Sequence, residues 1–351
     1  MISQLKIKNF TIFKEVDFSF AEGVNVIIGS NGAGKSHLLK LAYTAARWSQ
    51  EMALKEKGGT RPDKLTQQKE LGGKLVRIFR PESVGRLTRR GIGVRKTEVE
   101  VGFKAQSKAG FRFSFSTKST TDVVLEKTPE EFFGDEAVFF PTKEMLSMFP
   151  GFTGLYRDRE MSIDETYFDL CLALERTLLK GRRFDEINEL LQPVEKILGG
   201  SIRIENGRFY LVQEGSGKFE IPLVAEGFRK LGAFAYLLAN GTLAKQSILF
   251  WDEPETNLNP AYMSKVAELL VSIARNGTQV FVATHSLFIM RELSMLLGAQ
   301  ENADVSRSFV ALAATANGAQ AMVGKSAEEI EPIAALDAEI AQSQRYMEIK
   351  K

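Results

Sequence analysis

The 351-residue chain has one cysteine, two histidines, no long hydrophobic run and almost no excess of charge of either sign. Each scarcity removes a class of protein. Cys171 alone makes no internal disulfide, and its setting in Leu170-Cys171-Leu172-Ala173-Leu174 reads as core packing in a reducing compartment. No stretch reaches the roughly 18 to 20 uninterrupted apolar residues that a membrane helix needs, so no membrane span is expected. The first eight residues, Met1 to Lys8, alternate apolar and polar side chains as a strand does, unlike the basic-then-apolar order of a secretory leader, and a cytoplasmic location follows. With 46 basic against 44 acidic residues the net charge is +2, so any attraction to nucleic acid must be regional. Repeats and low-complexity tracts are absent too. What remains, 44% hydrophobic and 26% charged residues, is the profile of a globular protein with one large core or two moderate ones.

The chain is organised by its motifs. Residues 1–50 read as strands, a Gly-rich loop and a helix from Ser36 to Trp48. Between Lys55 and Lys96 thirteen Lys and Arg face four Asp and Glu, a local +9 that leaves the rest near −7. Residues 97–127 alternate as a β-meander does, and Ala137–Phe140 is a short strand ended by Pro141. From Lys143 to about Leu198 the pattern is helical, with Asp164 and Asp185 each placed as an N-cap. A small β element at 201–213 and 218–223 turns at Asn206-Gly207. A helix from Glu226, a strand at 247–251, a helix from Pro260 and a strand at 279–283 then alternate, the pattern of a mostly parallel sheet covered on both faces. Two strands around Gly318 and a charged amphipathic helix complete residues 308–351.

Three segments carry chemistry. Gly29-Ser30-Asn31-Gly32-Ala33-Gly34-Lys35-Ser36 is a full G-x-x-x-x-G-K-[ST] motif between an apolar strand and a helix. Its backbone N–H groups can curl around a β-phosphate, Lys35 can reach the β- and γ-phosphates, and Ser36 can offer a hydroxyl to Mg²⁺. His37 follows inside the first turn, as a helix-face residue next to that cradle. Downstream, the strand Ser247–Trp251 delivers Asp252, a candidate Mg²⁺ ligand, and Glu253, which could polarise an attacking water. A third apolar strand ends at Thr284-His285, where an imidazole at the C-terminal edge can sense a γ-phosphate. Lys35, Glu253 and His285 are therefore the candidate catalytic residues, and Ser36 and Asp252 the candidate metal ligands. Phe13 reads equally as a stacking platform for adenine and as a core aromatic.

In this order, with 252–260 reading Asp-Glu-Pro-Glu-Thr-Asn-Leu-Asn-Pro, these segments resemble the ABC-type ATPases of the SMC, RecF and OLD-like branch over nearly the whole chain. Leu5-Lys6-Ile7-Lys8-Asn9-Phe10 and Phe139-Phe140-Pro141-Thr142-Lys143-Glu144 are similar to segments of standalone AAA-domain ATPases from bacterial defence and toxin loci. The resemblance implies an α/β P-loop NTPase with a two-lobed head, combining a mostly parallel sheet, an antiparallel β-subdomain and a helical insert. Residues 1–142 would form lobe I with the P-loop, the basic segment and the meander, and 143–200 the helical insert of lobe II. Residues 201–307 would carry the signature segment, Walker B and switch histidine, and 308–351 the last strands and helix. It further implies two protomers sandwiching two ATP molecules with Mg²⁺, Glu253 as general base, His285 as switch histidine and Thr256 to Asn259 as the D-loop. The family's signature L-S-G-G-Q falls on Val224-Ala225-Glu226-Gly227-Phe228. Glu226, Gly227 and the helix N-terminus could still meet the partner's nucleotide, but Ala225 replaces the serine. The Q-loop position has no glutamine. No long heptad run separates the two halves of the site, unlike the rod-bearing SMC proteins. The expectation is a dimeric or higher-order ATPase switch with a separate effector protein, and with residues 55–96 as a contact surface for nucleic acid or an acidic partner. Anti-phage defence is the first role that the resemblance suggests, DNA repair or recombination the second. A nucleotide-gated binding module with little turnover is the reading from a different class.

Overall fold

The computed structural model describes residues 1–104, 107–159, 161–243, 246–331 and 333–349. Strands β1 (Ile2–Phe10), β2 (Phe13–Ser19) and β3 (Val24–Gly29) lead into helix α1 (Lys35–Lys57), which α2 (Lys64–Phe79) follows. Next come β4 (Lys96–Phe103), β5 (Phe111–Ser116), β6 (Val124–Lys127) and β7 (Glu136–Phe140). The helices α3 (Phe152–Asp158), α4 (Glu165–Leu174) and α5 (Arg182–Leu198) precede a small sheet of β8 (Ser201–Glu205), β9 (Arg208–Gln213) and β10 (Gly217–Glu220). Then α6 (Glu226–Ala239), β11 (Ser247–Asp252), α7 (Pro260–Arg275), β12 (Gln279–Thr284) and α8 (Leu287–Gly298) alternate, ahead of β13 (Arg307–Thr315), β14 (Gly318–Gly324) and α9 (Ala334–Ile349).

Eleven strands form one sheet in the order β6-β5-β4-β1-β2-β14-β13-β3-β12-β11-β7. The run β13-β3-β12-β11-β7 is parallel, and β6-β5-β4-β1-β2 is antiparallel. Both faces of the parallel part are covered, so its strands read as continuous apolar runs, every residue of β11 and β12 being buried. The period-2 alternation of strands then sorts these side chains into two cores. Val26, Ile28, Leu249, Trp251 and Val282 join α6, α7 and α8 on one face. Ile27, Ile248, Phe250, Phe281 and Ala283 join α1 and the antiparallel strands on the other. On the solvent face of the antiparallel part, Lys6 stands opposite Asp17 and Glu100, and Lys8 opposite Glu15 and Glu98, cross-strand pairs that fix register without apolar cover.

Two local readings are corrected here. Asp164 caps α4, its carboxylate accepting from Thr166 N, but Asp185 is no cap: α5 begins three residues earlier, after Gly181, which adopts φ 58°, and Asp185 lies in its first turn. The basic segment is not one surface. It contains α2, capped by Asp63, whose Leu71, Leu75 and Ile78 are buried and whose Lys74 points inward. Lys74 Nζ lies 2.7 Å from Glu51, 3.1 Å from Glu165 and 3.3 Å from Asp169, with its side chain wholly buried. Arg47 bridges Glu51, Glu136 and Asp169, Arg77 pairs with Glu165 at 2.5 Å, and Lys40 pairs with Asp164 at 2.8 Å. This charged cluster ties α1 and α2 to α4. Lys55, Arg61, Arg86 and Lys96 also pair with carboxylates nearby. Lys57, Lys64 and Lys69 stay exposed along the segment, and three arginines gather on the loop Arg89-Arg90-Gly91-Ile92-Gly93-Val94-Arg95, hung on the β1–β2 turn by Arg89 N to Asn9 O at 2.8 Å and Thr11 N to Leu87 O at 2.7 Å. Its Arg89, Val94 and Arg95 line an open groove with Lys8, Lys14, Lys96 and Glu98, and Ile92 of the same loop stands 99% exposed. Cys171 is buried as expected, and burial pushes its thiol up to about 12.

Candidate active site

The loop between β3 and α1 closes because glycine stands where the backbone turns left-handed, φ 78° at Gly32 and 97° at Gly34. At Gly34 space forbids a side chain as well, since a Cβ would lie 2.7 Å from Ile12 Cδ1 and 2.9 Å from Phe13 Cζ. That packing decides the two readings of Phe13. Its ring is wholly buried, edge-on to Phe18 beneath the loop, so it is a core aromatic and not a platform for adenine. Ser30 and Ala33 form the loop's own turn, Ala33 N donating to Ser30 O at 3.2 Å. Lys35 curls back so that Nζ donates to Gly29 O at 2.8 Å and Ser30 O at 3.1 Å. Burial lowers its pKa, partly opposed by Glu253, Asp252 and Glu255. Asn31, Gly32, Gly34, Lys35, Ser36 and His37 line one open cleft with Glu253. His37 packs on Phe79 with Nδ1 buried and unpartnered, and burial followed by Lys40 lowers its pKa.

The second wall comes from β11 and β12, adjacent in register so that Asp252 stands opposite Ala283. Asp252 is buried next to the Ser36 hydroxyl, and its Oδ1 is buried without a hydrogen-bond partner. Burial raises its pKa first of all, and Ser36 opposes that shift. A buried carboxylate oxygen left open beside a serine hydroxyl at a phosphate loop is a donor set of hard oxygens that fits Mg²⁺. Glu253 turns left-handed, φ 52°, held by its N–H donating to Ala283 O at 2.8 Å. This turn aims Glu253 Oε1 to within 3.2 Å of His285 Nδ1.

Three further residues, Glu255, Glu144 and Lys230, hold this arrangement. Glu255, 5% exposed, accepts from Thr284 Oγ1 at 2.6 Å and His285 N at 3.2 Å, so it fixes the strand end that carries the imidazole. Glu144, just after β7 in the Q-loop position, is taken up by Ser147 and by Arg229 Nη1 at 2.9 Å. Lys230 lies buried under the 252–255 turn, with Nζ 3.4 Å from Glu253 O. The second acid of Asp-Glu-Pro-Glu marked Glu255 and the segment Phe139–Glu144 marked Glu144, but nothing local marked Lys230 as inward-facing.

At α6, Ala225 occupies the N-cap with no side-chain cap, and Ala225 and Glu226 are exposed. Gly227 is buried where a Cβ would meet Asn257 O at 2.4 Å and Leu258 Cδ2 at 2.6 Å, so the helix start packs directly on the 256–259 segment. Phe228 meets Tyr262 edge-on at 5.0 Å behind it.

Residues 136–291 match the family model described as AAA domain, putative AbiEii toxin, Type IV TA system, and residues 1–47 match the model described as AAA ATPase domain. The chain is 36% identical over 77 residues to the DNA double-strand break repair Rad50 ATPase of Pyrococcus abyssi, which is 22% of this chain and 8% of that protein. It is 40% identical over 45 residues to the DNA replication and repair protein RecF of Bacillus cytotoxicus, 13% of this chain and 12% of that one. These matches span about a tenth of the curated relatives' lengths. The fold is that of an SMC head bound to the C-winged helix domain of ScpA, with a TM-score of 0.57 at 15% identity, covering 93% of this chain and 98% of the other. Over parts of its length the chain is thus similar to AAA ATPase domains and to the Rad50 and RecF ATPases, it shares its fold with an SMC head, and its phosphate loop is that of a P-loop ATPase.

Proposed function

We propose that this ATPase is a dimerising switch whose nucleotide state governs engagement of a separate effector protein or nucleic acid in the cytoplasm. The observation that carries the reading is that Lys35, Ser36 and Glu253 line one open cleft, with Asp252 buried next to Glu253 and His285 Nδ1 3.2 Å from the Glu253 carboxylate. The loop N–H groups and Lys35 would bind the phosphates, Lys35 exchanging its two carbonyl acceptors for phosphate oxygens. Ser36 and Asp252 would hold magnesium, which when bound neutralises charge on the β- and γ-phosphates. Glu253 would orient and deprotonate the attacking water, with its carboxylate kept in place by the left-handed turn and by His285. The exposed α6 N-terminus would meet the partner protomer's nucleotide, which completes each site only in the dimer.

A defence role is supported by the family description naming a putative AbiEii toxin, and a repair role by the names of the Rad50 and RecF relatives. Weak turnover in the lone protein is the second reading that one observation favours, because the uncapped Ala225 lacks a hydroxyl for the partner's phosphate. Binding of a fluorescent ATP analogue and release of phosphate test the reading together. The wild-type chain binds and hydrolyses, whereas Lys35→Ala binds at least tenfold more weakly. Equal binding by both proteins refutes the site.

A further inference from the structure

Lys230 is the least expected side chain near the cleft. It belongs to α6, four residues past the helix start that would face the partner's nucleotide, yet it does not point outward. It is 2% exposed, and among the described residues its ammonium has one hydrogen-bond acceptor, the main-chain carbonyl of Glu253 at 3.4 Å. A long, entropy-rich charged side chain is rarely buried without a strong partner, and burial here does lower its pKa. Three carboxylates, Asp252, Glu253 and Glu255, stand around the same turn, and Glu255 Oε2 is buried without a partner. Glu253 moreover holds φ 52°, a left-handed backbone that costs free energy for any residue with a side chain unless its surroundings impose it. Its N–H is fixed from β12 by Ala283, and its carbonyl is met by Thr256 N at 3.2 Å and by Lys230.

From this arrangement we infer that Lys230 is a positioning residue for Glu253: the ammonium on the signature helix anchors the Glu253 carbonyl and so sets the direction of its carboxylate toward the attacking water. The inference rests on the proposed role of Glu253 as general base. It makes α6 a two-ended element, its exposed start at the partner's nucleotide and its second turn under the protomer's own Glu253. A displacement of the helix start then reaches the reacting carboxylate through one side chain. Displacement of the carboxylate by about an ångström is enough to cost a proton-transfer step up to about a hundredfold, without touching the residues that bind the phosphates.

The test is steady-state ATP hydrolysis by the full chain with Lys230→Met, Lys230→Gln and Lys230→Arg. Lys230→Met is expected to lower kcat about tenfold or more with KM for ATP within about twofold of wild type. Lys230→Gln, which keeps a donor and no charge, guards against failure of the methionine variant to fold and is expected to fall in the same direction. Lys230→Arg, which keeps the donor and the charge, is expected to recover at least half of the lost activity. A kcat within twofold of wild type in both neutral variants overturns the inference, as does a matched change in kcat and KM. A wild-type chain that binds ATP without hydrolysing it refutes the general-base reading beneath, which is a separate result from active wild type with indifferent variants.

Discussion

Replacing Lys74 by methionine should be among the most damaging single substitutions outside the cleft, and the structure gives its size. The side chain is wholly buried, and its ammonium faces Glu51, Glu165 and Asp169 at 2.7, 3.1 and 3.3 Å. Methionine fills much of the volume and none of the charge. It leaves three carboxylates whose oxygens lie within 4.8 Å of one another, with Arg47 and Arg77 as the remaining compensation. Removing one partner of a buried ionic cluster costs about 3–5 kcal/mol, because the survivors stay desolvated. With an unfolding entropy of about 2.1 cal/mol/K per residue, the 351-residue chain should lose about 4–7 °C in Tm. Burial already raises the pKa of Glu165, and Lys74 is the leading influence holding it down, so the substitution moves that pKa further up. A carboxyl with a raised folded pKa takes up its proton more readily folded than unfolded, so its penalty is full at high pH and disappears as pH falls below the unfolded value. The Lys74 contribution to wild type stays constant over pH 5–8, since its own pKa is raised from 10.5 and is lost only on passing that higher value. The deficit of Lys74→Met should therefore be larger at pH 8 than at pH 5. Melting curves at the two pH values decide it. A variant as stable as wild type, or a deficit that grows in acid, refutes the reasoning.

Two further substitutions follow. Ala225→Ser places a hydroxyl at the uncapped start of α6, which should stabilise the helix by about 1 kcal/mol and raise turnover about tenfold or more through a bond to the partner's phosphate; melting and phosphate release read the two effects. Replacing Arg89, Arg90 and Arg95 together by Glu should weaken ATP-enhanced binding of a labelled DNA duplex. It should also reduce the slope of log affinity against log salt by about 3, one per lost phosphate contact, whereas binding that survives unchanged assigns the loop to a protein partner.

What could be read from sequence, and what could not, divides by range. The loop from Gly29 to Ser36, the strand ending at Asp252 and the strand ending at His285 stand out because parallel strands buried on both faces are continuous apolar runs, and each ends at a change of chemistry. Helix α2 stayed hidden in a basic segment with a Gly72-Gly73 pair. Its Lys74 is inward-facing only because Glu165 and Asp169 arrive from about 90 residues away. Gly72 itself has a close neighbour rather than a loop's freedom, since a Cβ there would meet Thr121 O at 2.0 Å. Phe13 was undecidable locally, because its burial depends on Gly34 and Phe18 closing over it. Glu144, Lys230 and Glu255 work through partners on other elements, and no spacing rule announces such pairs. Helix α8 did carry a local signal, the Ser286 cap whose Oγ accepts from Ile289 N, at the end of the strand that drew attention to His285 instead.

In the proposed cycle two protomers close around ATP, and Glu253 then activates the water that hydrolyses it. Light scattering coupled to size-exclusion chromatography of Glu253→Gln, with and without ATP and Mg²⁺, tests both halves at once. A monomer without nucleotide, a stable ATP-bound dimer with it, and no phosphate release are expected. A Glu253→Gln protein that binds ATP yet stays monomeric, or one that hydrolyses ATP at the wild-type rate, contradicts the cycle.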